Sequence, residues 1–124
     1  MIVGAEPTDD QQRAWQAIVK VLDMVEATVR PGVSARDLFH RAQSMLDEYR
    51  EGAFFHHLGH GIGLFPHEGP HLSPHWDDTF AAGDVFTAEP GLYGPELRAG
   101  IRLEQNYLVT ESGIERLTSF PLTL

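Results

Sequence analysis

Six of the seven histidines in this 124-residue chain fall between positions 56 and 75. The densest run is His56-His57-Leu58-Gly59-His60-Gly61-Ile62-Gly63. Its glycines let the backbone turn sharply or approach a ligand closely. A histidine between two glycines is poorly screened, so His60 can reach a metal ion or a substrate; a glycine-rich strand corner with surface histidines accounts for the same residues. His67-Glu68-Gly69-Pro70-His71 satisfies the H-E-x-x-H pattern of zinc proteases, but that site needs both histidines one turn apart on a helix. Gly69 and Pro70 would lie inside the helix, where proline removes a hydrogen bond and clashes, so we reject that match. His67 keeps its interest because it follows His60 closely, in a segment that can fold over the same place. Two carboxylates stand on expected strands: Glu89 in Thr87-Ala88-Glu89-Pro90-Gly91, and Glu104 between Arg102 and Asn106. Each alone reads equally as a solvated polar position. Together, one imidazole and two carboxylates form a reasonable ligand set for Mn, Fe, Co or Zn without thiolates. Carboxylates can bridge two ions that activate a water for hydrolysis, and a further histidine can stabilise the developing oxyanion.

These residues need elements to hold them. Thr8 and Gln11 form a capping-box pattern, with Asp9 and Asp10 at the positive end of a helix. Trp15, Ile18, Val19, Leu22, Val25 and Val29 recur at helical spacing, and Pro31-Gly32 ends that helix. Ser34 caps a second helix with a stripe of Leu38, Ala42, Met45, Leu46 and Tyr49. Beyond Glu51-Gly52 the pattern becomes β. Phe54 and Phe55 predict a short strand, residues 67–78 a loop, and Val85 to Glu89 a strand after the Gly83-Asp84 turn. Residues 101–110 predict one strand, with Ile101, Leu103, Tyr107 and Val109 on one face and Arg102, Glu104 and Asn106 on the other. A last strand is expected around residues 114–117, and Met1-Ile2-Val3-Gly4 reads as the tail of another. Two helices followed by an antiparallel sheet make an α+β chain, helical over residues 1–52 and sheet over 53–124.

Composition narrows the function. Nine basic against eighteen acidic residues leave a formal charge of −9, which argues against nucleic acid, whose phosphates need basic patches. No apolar run is long enough for a membrane span, and no signal peptide is visible. The absence of cysteine excludes disulfides and thiolate ligands and is consistent with a cytoplasmic location. An apolar content of 42% makes wholesale disorder unexpected.

Three segments carry a family resemblance: HHLGHGIGLFPHEGP at residues 56–70, GDVFTAEPGLY at 83–93 and GIRLEQNYLVTESGIERLT at 100–118. In that order, and with His60, Glu89 and Glu104 successively 29 and 15 residues apart, the chain resembles the pita-bread metallopeptidases. These include methionine aminopeptidases, Xaa-Pro dipeptidases, Xaa-Pro aminopeptidases and creatinases. PGVSARDL at residues 31–38 resembles the family's helical pair, so the likeness covers essentially the whole chain. The resemblance implies His60, Glu89 and Glu104 as metal ligands, His67 and His56 as residues that orient substrate and stabilise charge, Glu89 also as a proton shuttle, and Arg102 as support for the ligands. The Arg102-Leu103-Glu104 and Glu89-Pro90-Gly91-Leu92-Tyr93 patterns look prolidase-like, whereas His57 stands where that branch varies and Gln105 where it often has an acidic residue.

The implied fold is the later half of a pita-bread domain, a helical pair and a curved antiparallel sheet. The implied activity is hydrolysis of a peptide bond next to proline, with two divalent ions and a peptide substrate bearing proline at the second position. The family's two aspartate ligands match no residue here, so the expectation is an incomplete site, weak metal binding and little turnover by the isolated chain. A half-domain should also leave apolar surface and a sheet edge open, and a homo-oligomer is expected. A creatinase-like hydrolase or lyase and a non-catalytic interaction module are the alternatives within the fold. A cupin-like barrel fits poorly, because it wants a closely spaced H-x-H pair.

Overall fold

The Thr8 hydroxyl accepts from the Gln11 N–H at 3.2 Å while the Gln11 side-chain oxygen accepts from the Thr8 N–H at 2.9 Å. This capping box opens α1 (Asp9–Thr28). Its buried face is Ala14, Ile18, Val21, Leu22, Met24 and Val25, with Trp15 and Val19 partly covered. Ser34 starts α2 (Ala35–Asp47) by accepting from the Asp37 N–H, and Leu38, Phe39, Ala42 and Leu46 turn inward. The two helices pack together, α2 lies on the second strand of the main sheet, and α1 on the later β-ribbon. Each of their fully buried Leu or Ile side chains contributes roughly 1.5–3 kcal/mol by leaving water.

The computed structural model describes residues 4–124. The strand expected at Met1 to Gly4 lies outside them except for Gly4, which is a bend. The strands are β1 (Gly59–Gly61), β2 (Glu68–Leu72), β3 (Val85–Ala88), β4 (Gly91–Gly94), β5 (Ala99–Arg102), β6 (Gln105–Val109) and β7 (Ile114–Arg116). They form a five-stranded sheet, β2-β1-β3-β6-β7, and a two-stranded sheet, β4-β5. Every pairing is antiparallel, the expected α+β order.

Three expectations change. Phe54 and Phe55 are in no strand; Phe54 is buried while Phe55 is 72% exposed, so this stretch crosses the core edge without a ladder partner. Part of the expected 67–78 loop is strand β2, because its backbone pairs with β1. Pro70 is tolerated there since β2 is an edge strand and needs no second ladder partner. The single strand expected over residues 101–110 is two, β5 and β6, interrupted at Leu103 and Glu104. The opposite strand is interrupted at Glu89 and Pro90, and proline has no N–H to return the bond it receives from Leu103 N–H at 3.2 Å.

That double interruption does not change the register. Ala88 pairs with Gln105 and Gly91 with Arg102, which leaves two residues on each side between them. Glu89 therefore stands opposite Glu104, and Pro90 opposite Leu103. Directly opposed residues share a face of the ribbon. The core face carries Phe86, Ala88, Leu92, Leu103, Gln105 and Tyr107, all buried. The other carries Thr87, Glu89, Glu104, Arg102 and Asn106. The inward ring of Tyr107 is satisfied by donating its hydroxyl to Glu26 at 3.0 Å.

Candidate metal centre

β1 is three residues long and sits between β2 and β3. A Cβ at Gly59 would lie 1.9 Å from the Thr87 carbonyl oxygen, and one at Gly61 2.0 Å from that of Gly69. Only glycine permits so close an approach on both sides, which leaves His60 as the one side chain β1 presents. Its backbone N–H donates to the Thr87 hydroxyl at 3.2 Å, and this ties it to the strand that ends at Glu89.

Glu89 is the centre of the arrangement. It is 5% exposed, its N–H donates to the Leu58 carbonyl at 2.7 Å, and its two oxygens face different groups. Oε1 lies 2.9 Å from His57 Nε2 and 3.4 Å from His60 Nε2, and Oε2 lies 3.5 Å from Arg102 Nη1. A buried carboxylate is costly unless its charge is answered, and the His57 imidazole with the Arg102 guanidinium answers it here. One donor atom from each of His57, His60 and Glu89 lies within 4.8 Å of the others. Two imidazoles and a carboxylate are a donor chemistry that fits a divalent transition metal.

The other expected residues surround this group. The His67 ring is exposed and lies with its centroid 4.0 Å from that of His60, so the loop does fold over β1. The His56 ring is wedged among Phe54, Phe55, Tyr93 and His57. Its Nδ1 contacts the His57 carbonyl at 2.7 Å; a carbonyl only accepts, so Nδ1 carries the hydrogen. His56 Nε2 is thereby an acceptor, buried and without a partner among the described residues. Burial, the largest influence on it, pushes the His56 imidazole below its ordinary value of 6.5, which keeps it neutral at pH 7. Arg102 reaches Glu89, as described. Glu104 is exposed and is not in the three-atom group, although the register sets it across from Glu89.

His57 is the residue that sequence reasoning passed over. The available signal was its three-residue spacing from His60 within a glycine-interrupted segment. His67 and His71, the H-E-x-x-H pair, are not on a helix. His71 belongs to β2, where its ring Nδ1 contacts Asp78 Oδ2 at 2.7 Å and its plane stacks on Trp76.

Comparison with known proteins adds the following. The family model described as metallopeptidase family M24 matches residues 1–111. The Xaa-Pro dipeptidase of Pyrococcus furiosus is 36% identical over 118 residues, covering 94% of this chain and 34% of that protein. Among solved structures, the prolidase of Pyrococcus horikoshii OT3 superposes with a TM-score of 0.89 at 34% identity, covering 97% of this chain and 35% of its own. The X-Pro aminopeptidase of Thermotoga maritima MSB8 gives 0.87 at 35% identity, over 96% and 34%. The chain spans about a third of the length of the relatives it matches.

Proposed function

The chain belongs to metallopeptidase family M24, and from that premise we propose that it forms the later portion, residues 1–124, of a dinuclear-metal peptidase that hydrolyses Xaa-Pro bonds. The observation that carries this reading is the placement of Glu89. It is buried beneath His60, braced by Arg102 and opposite Glu104 on one ribbon face. Like charges directly opposed on a strand pair are destabilising, and divalent cations between them would remove that penalty.

In this reading His60, Glu89 and Glu104 hold the ions, manganese or cobalt being the first to try. When bound, such ions supply a water activated at neutral pH and polarise the scissile carbonyl. The chain's own residues do the rest. Arg102 fixes the orientation of the Glu89 carboxylate through Oε2. Glu89 accepts the proton of the attacking water on a carboxylate oxygen and passes it to the leaving nitrogen. His67, exposed beside His60, donates to the substrate carbonyl as negative charge develops there. His56, its ring wedged between Phe55, Tyr93 and His57, shapes the wall beside the site against which the bond to be cut is oriented. Among the described residues no helix is long and apolar enough to cross a membrane. A cytoplasmic location and a homo-oligomeric state are part of the same proposal.

The test is hydrolysis by the full-length parent protein reconstituted with Mn²⁺ or Co²⁺, assayed on Xaa-Pro dipeptides and on creatine. Release of free proline that disappears in Glu89→Gln is expected. Turnover of creatine alone would overturn the assignment. The 124-residue chain by itself is expected to turn over little.

A further inference from the structure

His60 Nδ1 lies 3.0 Å from the Gly61 carbonyl oxygen. The carbonyl can only accept, so Nδ1 carries the hydrogen and the Nε2 of neutral His60 is a bare lone pair. That lone pair faces Glu89 Oε1 at 3.4 Å. Two acceptors face each other with nothing donated between them, an arrangement that a cation relieves. His57 Nε2 approaches the same oxygen at 2.9 Å. Ligand atoms about 2.0–2.1 Å from a tetrahedral ion lie about 3.4 Å from one another. The His60–Glu89 separation already has that value, the His57–Glu89 one is shorter by about 0.5 Å, and all three donor atoms lie within 4.8 Å of one another. The His57 side chain is 43% exposed, which leaves room on the solvent side for that adjustment. The other Glu89 oxygen remains with Arg102, so Glu89 would bind through Oε1 alone.

We infer that His57 is a metal ligand, which joins His60 and Glu89 in holding one divalent transition-metal ion. Two imidazoles and one carboxylate on one side of an ion leave its remaining positions open to water or a small anionic ligand. A hydrogen on His57 Nε2 moves to Nδ1 when the ion binds, which frees Nε2 as the ligand atom. The inference shares with the functional reading only a divalent ion at His60 and Glu89. Absence of Xaa-Pro hydrolysis would leave it standing, and loss of His57 as a ligand would leave hydrolysis standing.

The experiment is titration of the chelator-treated 124-residue chain with Co²⁺, followed by calorimetry and by visible absorption. One ion per chain is expected. His57→Asn should weaken Co²⁺ binding at least about tenfold and change the visible band, whereas Glu115→Gln, at an exposed position on β7 away from the site, should alter affinity less than about threefold. Three results would overturn the inference: no Co²⁺ bound by the unsubstituted chain, unchanged binding by His57→Asn, or equal losses in the two variants. Far-UV circular dichroism shows whether His57→Asn folds. If it does not, Zn²⁺ titration of the unsubstituted chain followed by imidazole ¹⁵N shifts decides. Movement of His57 Nε2 at one equivalent supports the site, and an unmoved His57 ring overturns it.

Discussion

Glu89 and Asp78 show how differently two carboxylates can be held within one sheet. Glu89 is buried, with His57 and Arg102 on its two oxygens and His60 Nε2 facing Oε1 at 3.4 Å, so its environment suits a cation. Asp78 is held structurally. Its Oδ2 accepts from the His71 backbone N–H at 2.8 Å and contacts the ring Nδ1 at 2.7 Å. The backbone bond, more than the ring, holds the Asp78 carboxyl below its ordinary value of 3.8. A carboxyl depressed in the folded state contributes stability that is present above its unfolded value and lost as pH falls through the lower folded one. Urea unfolding at a series of pH values should therefore show a flatter acid limb below about pH 4 for Asp78→Asn than for the unsubstituted chain. Parallel acid limbs would refute this account of the pair.

At the scale of elements, the site depends on β1 fitting between two neighbours. Gly59 and Gly61 face backbone carbonyls that cannot move aside, whereas a Cβ at Gly63 would meet only the end of the flexible Glu68 side chain, at 2.3 Å. Gly59→Ala and Gly61→Ala should each destabilise by about 1–3 kcal/mol or prevent folding, as overpacking does. Gly63→Ala should stay within about 0.5 kcal/mol, since surface changes away from packed features cost little. Denaturant midpoints for the three variants check this ordering. The double interruption of the long ribbon belongs to the same scale. Pro90 leaves one ladder bond unmade, so the chain at Glu89 and Glu104 is free of regular strand pairing while its register stays intact.

For the whole molecule, charge and apolar surface act in opposite directions. The formal charge of −9 keeps copies apart. Leu64 at 96% exposure, Phe55 at 72% and Phe65 at 66% favour association by removing apolar surface from water. Phe55 and the His67 loop flank the metal centre, so that apolar surface is next to the site rather than scattered. We expect light scattering to find a dimer or larger species, and its fraction to rise from 50 mM to 0.5 M salt as repulsion is screened. A monomer at both salt concentrations would remove the homo-oligomer from the functional reading.

The helices were legible in the sequence because their signals are local: Thr8 with Gln11, Ser34 with Asp37, and apolar residues one turn apart. His60, Glu89 and Glu104 were legible as donors because their residue types and their order carry the family pattern. Other features rest on contacts between distant segments, which no window of sequence contains. Pairing with β1 makes Glu68–Leu72 a strand despite Gly69 and Pro70. The register across Glu89-Pro90 decides that Glu104 stands opposite Glu89. The most local-looking case, His57, depends on the fold as well. Its residue type was plain, but only the burial of Glu89 beneath β1 shows that His57 and His60 converge on one oxygen. Sequence determined which groups could bind a cation; tertiary structure decided which of them meet, because a ligand set is a matter of distance in space and not of spacing along the chain.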